Sequence, residues 1–180
     1  MAQFILQCCW LLLPFGVANM SPVIFKGRLS VLARPIDNNH RFRGQPLFGD
    51  HKTWRGIILG TLTGGATFVI QQAIYQIPSF KYLSLIDYPS IPSHYGFVVG
   101  FGALFGDLIR AFVKRRIGVL PGQPWVPFDQ IDYVLGGLAF STLYFTLSLR
   151  VWLVTLALGF FFHIAVSYIG FFLKMKESRW

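Results

Sequence analysis

Charge is scarce in this chain. Only 13% of the 180 residues are charged, where a soluble domain usually carries about 25%. Acidic groups are rarer still, seven Asp and Glu against 16 Lys and Arg. Cysteine is limited to the adjacent pair Cys8 and Cys9 in an apolar run, which argues against a disulfide framework or a thiolate metal site. There is no low-complexity segment and no convincing internal repeat. Met1 to Phe25 has no Lys, Arg, Asp or Glu. A secretory signal would begin with a basic region, so this stretch is expected to be a retained first span. What is present is apolar: 54% hydrophobic residues and a mean hydropathy of +0.54. The net charge of +9 raises nucleic-acid binding as an alternative. The cations are segregated between apolar runs, however, which is a pattern of membrane topology, so no nucleic-acid partner is expected.

The apolar runs predict an all-α, polytopic membrane protein with about five transmembrane helices, folded as one domain over residues 1–180. A helix needs about 20 apolar residues to cross the hydrocarbon. The first run carries Pro14 and Pro22, which should kink or end it. Gly56–Phe80 is the second and Tyr88–Gly106 the third. Gly56, Gly60 and Gly64 recur every four residues and offer a small face for close packing. Tyr133–Leu149 is marginal in length but adequate with Ile131 and some tilt. Val151–Leu173 is the fifth, and its lone histidine, His163, is expected to be a helix-packing residue. Seven Lys and Arg lie in residues 26–55, four in 110–116 and three in the tail, with only Lys81 and Arg150 elsewhere. The positive-inside rule then places the amino terminus outside and the basic loops in the cytoplasm, in a multi-pass protein of the cell inner membrane in contact with membrane lipids.

Two cytoplasmic stretches carry the chemistry. In Gly106–Gly137, Asp107 ends an apolar run. Lys114, Arg115 and Arg116 follow, then a Pro121-Gly122 turn, then Asp129 and Asp132. Arg110 and Lys114 share a helix face at a spacing of four, as do Asp129 and Asp132 at a spacing of three. Cations hold phosphates and carboxylates hold Mg²⁺. Both together at a membrane surface suggest phosphoryl or nucleotidyl chemistry on a lipid. Asp129 could instead cap a helix, which leaves Asp132 unexplained. The second stretch, Gly49-Asp50-His51-Lys52-Thr53-Trp54-Arg55-Gly56, could cradle a triphosphate at a helix amino terminus. A plain cap by Asp50 or Thr53, with Trp54 at the interface, is the alternative. Asn19 either bonds a neighbouring helix or contacts nucleotide or lipid phosphate.

Gly106-Asp107-Leu108, Lys114-Arg115, Pro121-Gly122 and Asp129-Gln130-Ile131-Asp132 resemble the carboxyl-terminal signature of phosphatidate cytidylyltransferases. Lys52-Thr53-Trp54-Arg55-Gly56 resembles that family's Lys-Thr-Trp-x-Gly segment. The chain departs from the signature in three ways. It lacks a Lys-Asp pair after Lys114-Arg115, it has Pro121-Gly-Gln-Pro-Trp125 for a Gly-rich turn, and it has Gln130 for an Arg. These departures, with Phe48–Gly56 and Pro35-Ile-Asp37, are more similar to the CDP-archaeol synthase family, over about residues 14 to 137.

That resemblance implies cytidylyl transfer from CTP to an archaetidic-acid-type ether lipid phosphate, with Mg²⁺ as cofactor. The lipid phosphate would attack the α-phosphorus and pyrophosphate would leave. Asp107, Asp129 and Asp132 are the expected metal-holding and catalytic carboxylates, with Lys114 beside them. Lys52, Thr53, Arg55, Arg115 and Asn19 are the expected CTP- and phosphate-binding residues. Other readings are a CDP-diacylglycerol synthase acting on phosphatidate, a structural membrane subunit, and a small transporter. A transporter's charges should sit at mid-span rather than at one interface.

Overall fold

The computed structural model describes residues 1–120 and 123–173. The Pro121-Gly122 turn and the basic tail from residue 174 lie outside the described residues. The elements are helices α1 (Ala2–Ile24), α2 (Trp54–Ile74), α3 (Pro78–Tyr82), α4 (Tyr95–Arg116), α5 (Phe128–Ser141) and α6 (Leu149–Phe172), with a two-residue antiparallel pair, β1 (Arg41–Phe42) and β2 (Gln45–Pro46), in the first loop. Helices α1, α2, α4 and α6 are long and apolar enough to cross a membrane. The chain is an all-α, multi-pass membrane protein.

The expected fourth span is shorter than its uncharged run. Helix α5 has 14 residues, about 21 Å at 1.5 Å per residue, against about 30 Å of hydrocarbon. Residues 142–148 continue its path without helix. The third span also starts later than its sequence run, at Tyr95, because Pro89 and Pro92 keep the preceding segment in a short 3₁₀ turn and bends.

Neither Pro14 nor Pro22 ends the first helix; α1 runs through both. Proline lacks the N–H that would bond the carbonyl four residues back, so Pro14 leaves the Trp10 carbonyl unpaired within α1. Gln71 of α2 donates its side-chain amide to that carbonyl at 2.7 Å. A neighbouring helix thus satisfies what proline frees, as an apolar medium requires. Ser21 and Thr63 hydroxyls add a 2.5 Å bond between α1 and α2.

Close approach between helices brings the site together. Gly106 on α4 lies so near the Asp132 backbone carbonyl on α5 that an added Cβ would collide with it. This contact brings the first turns of α5 against the last turns of α4. Gly64 and Gly100 make a similar backbone contact between α2 and α4. The first turns of α1 and α6 lie side by side, with the Arg150 guanidinium 4.6 Å from the Phe4 ring centroid. Apolar side chains such as Leu153, Phe161 and Ile169 stay exposed on α6, as a lipid-facing surface should be.

Candidate active site

The first loop is folded onto the end of α4 by two anchors. Asp37, nearly buried, accepts backbone N–H bonds from Asn39 at 3.1 Å, Phe48 at 3.0 Å and Gly49 at 3.3 Å. Burial opposes ionisation of this carboxyl, yet the amide donors outweigh it and hold the pKa below the usual carboxylate value. Arg116, in the last turn of α4, donates to the carbonyls of Phe42, Gln45 and Pro46. Its guanidinium also lies over the Phe42 and Phe112 rings, 5.4 and 5.1 Å from their centroids. Gly49 adopts a left-handed backbone (φ +101°), and an added Cβ would lie 3.8 Å from Arg115 Nε. Ile36 N–H donates to the Lys52 carbonyl at 2.8 Å, which fixes Lys52 at the entrance to α2.

From there the Lys52 ammonium reaches Asp107, on α4. Arg110, one turn further along α4, pairs with the other Asp107 oxygen. The same guanidinium meets Asp129 at 3.1 Å and Asp132 at 2.7 Å, both on α5. Lys114 closes the group: its ammonium lies 3.0 and 2.9 Å from the two Asp129 oxygens and 2.7 Å from the Gln123 carbonyl. Asp129 also accepts the Trp125 N–H at 2.7 Å, and Asp132 accepts the Tyr133 N–H at 2.6 Å. Three carboxylates and three cations therefore balance one another in one half-buried cluster, with Asp132 only 5% and Lys114 only 4% exposed. Beside it opens a polar cavity of about 310 Å³. Lys52, Arg110, Lys114, Arg115 and Asp129 line it, with Asp50 and His51 at its loop wall.

The three sequence-predicted carboxylates and both Lys52 and Lys114 thus meet in space. Asp129 does not act as an N-cap; its carboxylate turns back to Trp125 and across to α4. Arg115 lines the cavity but spends one donor on the Val119 carbonyl at 2.6 Å, and its Nε has no partner among the described residues. Thr53 does what the plainer alternative expected: it caps α2, accepting the Gly56 N–H at 3.3 Å. Arg55 points to the Arg28 carbonyl at 2.8 Å and does not line the polar cavity. Asn19 faces a separate apolar groove between α1 and α6. These three side chains thus lie outside the polar cavity's wall, which comes from residues 46–52, α4, Gln123, Pro124, Asp129 and His163. Arg110 was not among the expected site residues, although it touches all three carboxylates. Its signal is the Asp107/Arg110 spacing of three on a helix.

No group of three or more His, Cys, Asp or Glu side chains is arranged as a ready metal cage among the described residues. The reason is that Arg110 stands between the three carboxylates. Their chemistry still suits Mg²⁺, which prefers hard oxygen ligands and takes one or two carboxylates together with substrate phosphates.

A family model described as CarS-like, CDP-archaeol synthase, matches residues 1–180. A CDP-archaeol synthase of Pyrococcus furiosus is 37% identical, covering 98% of each chain. One of Archaeoglobus fulgidus is 34% identical over the full length of both. A solved intramembrane enzyme for archaeal membrane lipid biosynthesis is 33% identical, with a TM-score of 0.70 over 87% of this chain and 90% of its own. This chain belongs to the CDP-archaeol synthase family.

Proposed function

We infer that the cluster around Arg110 is where this enzyme moves a cytidylyl group from CTP to a lipid phosphate, giving a CDP-lipid and pyrophosphate. The acceptor fitting the family is an archaetidic-acid-type ether lipid phosphate. The observation that carries the reading is the junction of α4 and α5, where three carboxylates and three cations share one half-buried site open to a polar cavity.

The chemistry asks for little beyond position and charge. The attacking lipid phosphate is already an anion, so no strong general base is needed. Lys52, Lys114 and Arg115 border the cavity and would hold the phosphates of nucleotide and acceptor. Arg110 would neutralise charge that builds up as pyrophosphate departs. Asp107, Asp129 and Asp132 would hold Mg²⁺, which when bound screens the triphosphate and polarises the α-phosphoryl group. The existing ion pairs then act as stand-ins: Lys52 and Lys114 leave their carboxylates for phosphate oxygens as substrate arrives. The basic loop 26–55 and the site would face the cytoplasm, where nucleotides are.

The test is transfer of label from α-³²P CTP in proteoliposomes holding the purified protein. An ether-lipid phosphate, phosphatidate and no acceptor form the three arms, each with Mg²⁺ or EDTA. The reading expects labelled CDP-lipid only with an acceptor and Mg²⁺, and faster with the ether lipid. Equal label without acceptor would sink it, and faster turnover of phosphatidate would move the assignment to CDP-diacylglycerol synthesis.

A further inference from the structure

A second cavity, of about 350 Å³, runs between α1 and α6. Its wall includes Leu12, Gly16, Val17, Val23, Phe162 and Val166, and among the described residues no Asp, Glu, Lys or Arg lines it. It extends from Cys9 to Ile24 along α1, about 22 Å at 1.5 Å per residue. Among the described residues, the one side chain that lines both this groove and the polar cavity is His163. The same junction is made on α5. Asp129 lines the polar cavity and Tyr133, one helical turn on, lines the groove. The Tyr133 ring lies 6.2 Å from the His163 ring, centroid to centroid, and its hydroxyl donates to the Gly159 carbonyl at 3.0 Å, which fixes α5 against α6.

We propose that the α1–α6 groove seats a branched hydrocarbon chain of the acceptor lipid, and that His163 contacts that lipid's phosphate where the groove opens on the polar cavity. This rests on the cytidylyl-transfer reading above and adds the acceptor's place to it. A hydrocarbon groove in a bilayer competes with lipid tails that are equally apolar. Tail packing therefore orients the acceptor and contributes little affinity. Affinity must come from the head, and an imidazole at the mouth supplies an N–H donor to a phosphate oxygen. His163 thus adds acceptor binding to the helix-packing role expected from sequence, which its contact with the Tyr133 ring shows.

The test uses the full chain in phosphatidylcholine nanodiscs with a branched dialkyl glycerol phosphate carrying a terminal diazirine. Photolabel is expected on peptides of α1 and α6, displaced by unlabelled dialkyl glycerol phosphate and not by added phosphatidylcholine. An added Cβ at Gly16 meets nothing within 4 Å, so Gly16→Leu fills the groove without disturbing the helix contacts. It should lower labelling about tenfold. His163→Ala should raise KM for the lipid phosphate about tenfold and leave KM for CTP unchanged. Label on other helix faces, equal competition by phosphatidylcholine, or full labelling of Gly16→Leu would overturn the groove assignment. A shift of kcat and both KM values together would overturn the role of His163. Groove labelling without any CTP-dependent product would reject the transfer reading and leave the groove assignment standing.

Discussion

The two ends of the helix bundle are built from opposite materials. At one end Phe68, Tyr88, Tyr95 and Tyr144 pack ring against ring, with Phe68–Tyr95 centroids 4.7 Å apart and Tyr95–Tyr144 centroids 5.1 Å apart. The buried Tyr95 hydroxyl bonds the Ser141 hydroxyl at 2.9 Å. The four rings and the Ser141 hydroxyl are neutral groups, and the charges at that end, Lys81, Asp87 and Arg150, lie outside this ring cluster. At the other end Arg110 joins Asp107, Asp129 and Asp132, with Lys52 and Lys114 paired to two of them. Stacked aromatics stabilise a fold directly. A buried ion cluster does so poorly, because desolvation offsets much of the attraction. The aromatic end stabilises the bundle directly, and the charged end is where we place the chemistry.

That contrast breaks most sharply at Asp132. Asp132→Asn keeps the shape and removes a charge, and it should cut CDP-lipid formation in proteoliposomes by at least about a hundredfold. Its circular dichroism should match that of the unaltered chain. Arg110→Met comes next. It leaves three carboxylates facing one another and should cost about 3 kcal/mol of stability, read by thermal unfolding in detergent. Added Mg²⁺ should recover part of that loss in the variant and shift the unaltered chain less.

Asp37→Asn tests the loop that places Lys52. Losing the charged acceptor of three amides should raise KM for CTP roughly threefold. The native Asp37 has a lowered pKa, so its stabilisation is complete at neutral pH and disappears as pH falls through that lowered value. The unaltered chain and the Asp37→Asn variant should differ in stability at pH 7 and converge only below about pH 3.9. The smallest effect belongs to the aromatic end. Tyr95→Phe should cost about 1 kcal/mol in unfolding and leave turnover unchanged.

Much of the charged end was legible because its residues follow simple spacings. Asp129 and Asp132 share a helix face, as do Arg110 and Lys114, and each pair does meet the other. The close-packing glycines were also readable, although Gly106 meeting Asp132 required knowing which helices are neighbours. Other features depended on partners distant in sequence. Pro14 reads as a break until Gln71 is seen to satisfy Trp10. Arg110 reads as one more cation on the helix face of Lys114 until α5 brings two further carboxylates to it. Thr53 and Arg55 sit in the stretch read from sequence as a triphosphate cradle, yet local geometry turns one to a helix cap and the other to the Arg28 carbonyl. The uncharged run 133–149 gave no sign that its helix stops at Ser141.

The central idea is that the Arg110 cluster opens its internal ion pairs to take a metal–nucleotide complex. Electron paramagnetic resonance of Mn²⁺ titrated into the protein with CTP tests this most directly. A bound Mn²⁺ signal that needs CTP and is lost in both Asp129→Asn and Asp132→Asn is the expected result. An unchanged signal in both variants would contradict it.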